Sequence, residues 1–351
     1  MNAALQADEA GARFDMAALA DLLRSRGIAV PGALRAQRLA GGQSNPTYRL
    51  LGAERGIVLR HKPLGPVLPS AHAIDREVRV MGALRESEVP VPQVYVYCED
   101  TAVVGAPFYL MEFLDGRVLV DQSLPQMAPA ERAEIYDEMN RVIAALHRVD
   151  PASVGLADFG RPGNYFARQI ARWSRQYQES RTEDIAAMDR LIDWLPQRVP
   201  PGEQAAVVHG DYRLDNLVFD AQEPRVIGVL DWELATIGHP MADFSYHCMG
   251  WHIPATLWRG IGGLDLRALG LPEERDYRRR YAERTGAIGF EHWDYYLAYN
   301  LFLMSAILKG IARRAREGSA AAADAAETGR KALPLARLAW QAAQRYEASL
   351  H

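Results

Sequence analysis

Cysteine is nearly absent. The 351 residues include two, Cys98 and Cys248, and their positions suggest neither a metal-binding pair nor a disulfide framework, so a reducing, cytoplasmic setting is expected. A basic excess is missing as well: 40 Lys and Arg against 44 Asp and Glu leave a formal net charge of −4. A general nucleic-acid binder needs the opposite balance to neutralise phosphates, so small molecules are the expected partners and nucleic acid is not. The most apolar stretch, YYLAYNLFLMSAIL (Tyr295 to Leu308), is interrupted by Asn300 and too short to span a bilayer. It reads as a buried helix, and no membrane partner is expected. Asp8 and Glu9 stand where a signal peptide needs basic and then apolar residues. No internal repeat is found.

What is present is the composition of an ordinary globular protein, 49% hydrophobic and 24% charged, in a chain long enough for two lobes. DMAALADLLRSRGIAVPG predicts a leading helix from an Asp15 cap to Gly27. Short strands follow at LRAQRLAGG, TYRLLG and GIVLRHKP, then a helix over AIDREVRVMGALRES (Ala73 to Ser87), then strands at VPQVYVYCED and APFYLMEFLDG. Beyond Gly116 long helical patterns take over, for example Pro129 to Val149 and Tyr165 to Ser180, interrupted by the strand-like NLVFD and RVIGVLDWE. The layout is α+β: a nucleotide-binding first lobe over residues 1–115 and a helical second lobe over 116–351, joined near Glu112 to Gly116.

Several short motifs fit phosphate chemistry. AGGQSNPTYRL offers Gly41 and Gly42, whose backbone amides can approach an anion, with Ser44 and Asn45 as further donors. It lacks the Gly-Lys-Ser/Thr ending of a P-loop, and a plain hairpin explains the glycines equally simply. VLRHKP supplies Arg60 and Lys62 on one strand face and His61 on the other, and the following helix supplies Glu77. A strand cation fixed by a helix carboxylate can hold nucleotide phosphates, and Arg60 and Lys62 both qualify. Glu112, Phe113 and Leu114 end a strand and can offer main-chain groups to a purine. In HGDYRLDNLVFD, Asp211 stands five positions before Asn216, and Asp231 follows fifteen later at the end of VIGVL. A reacting hydroxyl needs a carboxylate within hydrogen-bond reach, and magnesium prefers a few hard oxygen ligands.

Taken together, His209-Gly210-Asp211 with Asn216, Leu230-Asp231-Trp232-Glu233, Gly238-His239-Pro240 with Asp243, and ALHRVDP (Ala145 to Pro151) resemble the aminoglycoside phosphotransferase and choline kinase superfamily. Within it, GGQSNPTYRL, VLRHKP, LPSAHAIDREVRV and HGDYRLDNLVFD look most like the subgroup also found fused to acyl-CoA dehydrogenases. The resemblance covers roughly residues 35 to 305. It implies a protein-kinase-like two-lobed fold, with a small antiparallel β lobe carrying one helix and a larger, mainly helical lobe. It further implies transfer of the γ-phosphoryl group of ATP or GTP, with magnesium, to a hydroxyl of a small molecule. Asp211 is then the catalytic base or orienter, Asn216 and Asp231 the metal ligands, and Arg60, with Lys62 second, the phosphate cation. Arg213 either stabilises transition-state charge or pairs with Asp215. His209 is expected to shape its loop, Asp243 to tie down the segment after the metal site, and His147 to be structural.

The sequence departs from aminoglycoside-modifying members at Tyr212-Arg213-Leu214-Asp215, where they carry small residues. It departs from protein kinases at Trp232-Glu233, where their Asp-Phe-Gly glycine is missing. The arginines of RDYRRRY and IARRAREG are either a solvated face or a site for an anionic alcohol, such as a hydroxyacyl compound. Trp251, Trp293, Asp294 and Tyr296 are either substrate-lining or packing residues. An aminoglycoside or amino-alcohol kinase, a pseudokinase interaction module and a metal-dependent phosphohydrolase are the rival readings, and a homodimer is left open.

Overall fold

The computed structural model describes residues 6–7, 13–39, 45–64, 73–161, 163–181, 183–317 and 325–351. Gly41, Gly42 and Ser44 lie outside the described residues. The chain divides into two compact units, Met1–Val118 with Asn216–Ala235, and Leu119–Asp215 with Thr236–His351.

In the first unit, α1 (Met16–Ser25) begins where the Asp15 carboxylate accepts hydrogen bonds from the amides of Ala17 and Ala18, which otherwise lack partners in a first turn. It ends at Gly27 with φ 72°. Strands β1 (Arg35–Arg38), β2 (Thr47–Leu51), β3 (Ile57–His61), β4 (Val94–Cys98) and β5 (Phe108–Glu112) form one antiparallel sheet in the order β1-β2-β3-β5-β4. Helix α2 (Ile74–Leu84) falls between β3 and β4. A four-residue helix, Thr101–Val104, separates β4 from β5 and was not foreseen.

The period of two along β3 sorts its side chains. Ile57 and Leu59 join Leu19 and Leu23 of α1, Tyr48, Leu50 and Phe108 in the core, and His61 stacks on Tyr48 at 5.7 Å. Arg60 faces the other way, to Glu77 of α2.

Residues Asn216–Ala235 belong to this unit, whereas the sequence assigned them to the helical lobe. The cause is hydrogen bonding across a long sequence gap. Leu217–Phe219 pairs with Val226–Val229 on one side and with Arg117–Val118 on the other, and the Val229 amide donates to the Pro90 carbonyl at 2.9 Å. A Cβ at Gly228 would meet the Leu114 Cδ1, so a larger residue there would displace that side chain.

The second unit is helical: α3 (Pro129–Arg148), α4 (Tyr165–Glu179), α5 (Ala186–Trp194), α6 (Pro240–Cys248), α7 (Glu274–Thr285), α8 (Trp293–Arg316) and α9 (Ala332–Ser349). Helix α8 packs against α4, α6 and α9. The segment Phe290–Arg316 is long and apolar enough to cross a membrane by length and composition, yet 78% of its most apolar window is buried in the protein, as expected of a core helix. Every residue of α6 is buried. A short ladder, Ala206–Val208 with Thr236–Gly238, runs directly into His209 on one strand and His239 on the other.

Candidate active site

Each unit carries one part of the expected machinery. In the helical unit, the loop His209-Gly210-Asp211 is held by Asp243, near the start of α6. The Asp243 carboxylate accepts the amides of His209 (2.7 Å) and Gly210 (2.8 Å) and contacts His147 Nε2 at 3.1 Å. Burial pushes this carboxyl up, but His147 and the His209 amide outweigh it, and the net direction is below the ordinary aspartate value. His209 Nδ1 in turn accepts the Asp211 amide at 3.2 Å. His209 therefore shapes the loop, Asp243 ties it down and His147 braces the tie.

The Asp211 carboxylate accepts the Tyr246 hydroxyl at 2.6 Å and lies 3.0 Å from Arg213 Nε. Burial and the adjacent Asp211 raise the Tyr246 hydroxyl well above its ordinary value, so it stays protonated and donates. Arg213 also reaches Asp215 at 2.8 Å. The sequence offered Arg213 two roles; in this geometry it bridges Asp211 and Asp215, as the pairing role requires. Asp215 further contacts Arg259 at 3.3 Å. Tyr246 was missed as a site residue, although it stands three positions after Asp243 on one helix, a spacing that places both on one face.

In the sheet unit, Arg60 is 8% exposed and meets three carboxylates: Asp231 at 3.0 Å, Glu77 at 3.2 Å and Glu233 at 3.9 Å. Glu77 also accepts the Tyr109 hydroxyl at 2.9 Å and the Asn45 side-chain amide at 3.1 Å. Burial raises the Glu77 carboxyl above the ordinary range against the pull of Arg60. For Arg60, burial lowers the pKa but the acids around it win, and its charge is reinforced. Lys62 lies past the end of β3 and reaches only Asp75, at 4.0 Å. Both cations therefore meet a carboxylate of α2, and of the two Arg60 is the buried one, whereas Lys62 and Asp75 pair at the surface.

Asp231 adopts a left-handed backbone, φ 66°, a costly conformation for a non-glycine residue and one that clusters at functional sites. The Leu230 amide bonds the Asn216 carbonyl at 2.8 Å, which sets Asp231 beside Asn216 across the hairpin. The three carboxylates around one guanidinium leave negative charge in excess, although burial raises the Glu77 carboxyl to about 7. That donor set fits a hard divalent cation bound by few protein ligands. Among the described residues no three His, Cys, Asp or Glu side chains form a closed metal cage.

At the end of β5, the Glu112 amide donates to Gln93 O and the Phe113 amide to Gly56 O. Among the described residues no such backbone partner is found for the Leu114 amide. The aromatic candidates of the helical unit pack: Trp293 Nε1 bonds Glu274 and Trp251 Nε1 bonds Pro272 O. Tyr296 stacks on Phe166, and Asp294 pairs with Arg345. The arginines of RDYRRRY are likewise engaged, Arg279 with Asp276, Arg280 with Asp137 and Arg278 over Trp293. These three of its four arginines form a paired helix face and give no support to an anion site.

The model of the phosphotransferase enzyme family, APH, matches residues 35–299. The chain belongs to this family. Its curated relatives include mouse acyl-CoA dehydrogenase family member 10, 44% identical over 301 residues. That match covers 85% of this chain but 28% of the mouse protein. A solved structure from Ralstonia eutropha JMP134, provisionally named an aminoglycoside phosphotransferase, is 52% identical with a TM-score of 0.86, covering 95% of this chain and 99% of that one. The aminoglycoside phosphotransferase APH(4)-Ia, solved with AMP-PNP and hygromycin B, shares the fold at a TM-score of 0.59 and 16% identity, covering 92% of this chain and 98% of that one. A kinase-like α+β fold is the family's architecture, and the antiparallel sheet and helical unit described above conform to it.

Proposed function

We propose that the protein transfers the γ-phosphoryl group of magnesium-bound ATP or GTP to a hydroxyl of a small anionic molecule, a hydroxyacyl compound being the leading class. The observation that carries this reading is Asp211. Its carboxylate is buttressed by Tyr246 at 2.6 Å and by Arg213, on a loop whose amides are gripped by buried Asp243. A carboxylate so fixed can orient the acceptor hydroxyl and take its proton as the oxygen attacks phosphorus and the bond to the departing nucleoside diphosphate breaks. Asn216 and Asp231 would hold the magnesium, which supplies charge neutralisation on the phosphate oxygens. Arg60, fixed by Glu77, is the phosphate cation, and Leu114 the donor to the base. The nucleotide reading is supported by the AMP-PNP complex of a fold neighbour, and the acyl direction by relatives named acyl-CoA dehydrogenase family members.

Retention of Asp211, Asn216 and Asp231 argues against a pseudokinase module. The test is nucleoside diphosphate release over an alcohol library, with phosphorylated products detected by mass spectrometry. Asp211→Asn and Asp211→Ala should lower turnover by roughly 100-fold or more without loss of nucleotide binding. Undiminished turnover in both would remove Asp211 from the reaction, and release of free phosphate without a phosphorylated alcohol would favour the phosphohydrolase. We further propose a cytoplasmic location, with which two free cysteines are consistent.

A further inference from the structure

The loop after α6 ends in an arginine that the phosphoryl-transfer chemistry does not require. Its base is stapled by backbone hydrogen bonds: Ile261 N to Gly250 O, Gly262 N to Ile253 O and Ala255 N to Gly262 O. Ile253 and Ile261 are buried beneath it. Gly260 fits against the Ile253 carbonyl so closely that a Cβ would overlap it. Such a loop is positioned by its base while its tip faces outward. At the tip, Arg259 has φ 45°, a left-handed conformation that costs about 1 kcal/mol or more in a non-glycine residue.

The guanidinium held in this way is 39% exposed, lies 5.2 Å from the Trp258 ring and touches Asp215 Oδ2 at 3.3 Å. The same oxygen accepts Arg213 at 2.8 Å, and Arg213 contacts Asp211 at 3.0 Å. Tyr246, Asp211, Arg213, Asp215 and Arg259 thus form a chain of contacts with alternating charge, which starts beneath the proposed base and ends in an exposed cation. Its two carboxylates and two guanidiniums cancel. A polycationic acceptor finds no excess negative charge there, whereas an anion finds Arg259, with most of its five donors uncommitted.

We propose that Arg259 is an acceptor-specificity residue, whose guanidinium receives a carboxylate or phosphate carried by the alcohol while Asp211 engages the reacting hydroxyl. Contacts of 3.3, 2.8 and 3.0 Å through Asp215 and Arg213 join Arg259 to Asp211, and this path sets an upper bound on the separation of the two groups on the substrate. This rests on the phosphotransfer reading above and names the chemistry of its acceptor.

The full chain is assayed with magnesium ATP and alcohols in matched pairs, among them glycerate with glyceramide and glycerol phosphate with glycerol. The wild type should prefer the charged member. Arg259→Gln should lower kcat/KM for charged members by roughly 10- to 100-fold, mostly through KM. It should leave the neutral members and the KM for ATP unchanged, and Arg259→Lys should restore part of the loss. Equal loss on both members, or no preference in the wild type, overturns the assignment. The carboxylate and phosphate pairs report separately which anion is taken. Calorimetric binding of the same alcohols, in the presence of magnesium and AMP-PNP, is scored apart from turnover. Charged alcohols that bind the wild type but not Arg259→Gln, without phosphorylation of any alcohol, would sink the phosphotransfer reading and keep the anion site. Binding of no charged alcohol would sink the anion site.

Discussion

At the scale of single residues, Asp243 joins sequence to function most directly. It is 3% exposed, and two loop amides and one imidazole depend on it. Asp243→Ala leaves buried donors without an acceptor, a loss of about 3–5 kcal/mol where a buried partner is removed. Urea denaturation of the helical unit should show that drop, and Asp243→Asn, which keeps one acceptor oxygen, a smaller one. Because the loop carries Asp211, kcat should fall in the Asn variant while nucleotide binding is retained; unchanged stability in the Ala variant would contradict the tie. From the sequence Asp243 is expected to cap or tie the segment after the metal site; it holds the His209-Gly210 loop instead, since the spacing from His209 says nothing about which amides converge on it. Arg213 is the opposite case: its two roles follow equally from its place after Asp211, and only distances to two carboxylates separate them.

At the scale of elements, α6 and the short ladder before it control the pH response. His239 caps the helix, accepting the Met241 amide on Nδ1 at 3.2 Å, and His247 contacts the Tyr277 hydroxyl at 2.6 Å near its other end. Burial lowers both imidazoles from 6.5 to about 4, with His147 adding to the effect at His239. Both are neutral in the folded chain and protonate more readily when it unfolds. Their contribution is therefore complete above pH 6.5 and is lost as pH falls from there to about 4, at up to about 2.7 kcal/mol per pH unit when both are counted. Protonation of His239 also removes the cap acceptor. Thermal midpoints measured from pH 7.5 to 4.5 should decline below 6.5, less steeply than this because Glu77, raised to about 7, gains stability over the same fall, and His247→Phe should flatten the decline further; a rise in the wild type would show that these imidazoles are not buried neutral. The elements themselves were largely legible: α1 with its Asp15 cap, all five strands of the main sheet, and α2 follow from caps, alternation and turn residues. The helix Thr101–Val104 was not, because four residues are too few to show a helical period.

At the scale of the whole molecule, the division of the chain is where sequence order misleads. A boundary at residue 115 follows the change from strand to helix pattern, but Asn216–Ala235 returns to the sheet unit by pairing with Arg117–Val118 and by the Arg60 contact to Asp231. The return gathers Arg60, Glu77, Asn216, Asp231 and Glu233 in one unit, so nucleotide and metal binding can be tested apart from transfer. A ligand that binds only the folded state stabilises it by about 2.7 kcal/mol at a hundred times its Kd. Magnesium with AMP-PNP should therefore raise the thermal midpoint, and chelating the magnesium should remove most of the rise. Asp231→Asn should abolish the magnesium-dependent part, because it replaces one of the two proposed ligands, a charged donor, by a single amide oxygen. Arg213→Gln, altered in the other unit, should keep the whole shift while losing turnover. A nucleotide shift indifferent both to magnesium and to Asp231→Asn would mean that the excess negative charge around Arg60 serves only to hold the guanidinium, and the metal site would have to be sought elsewhere.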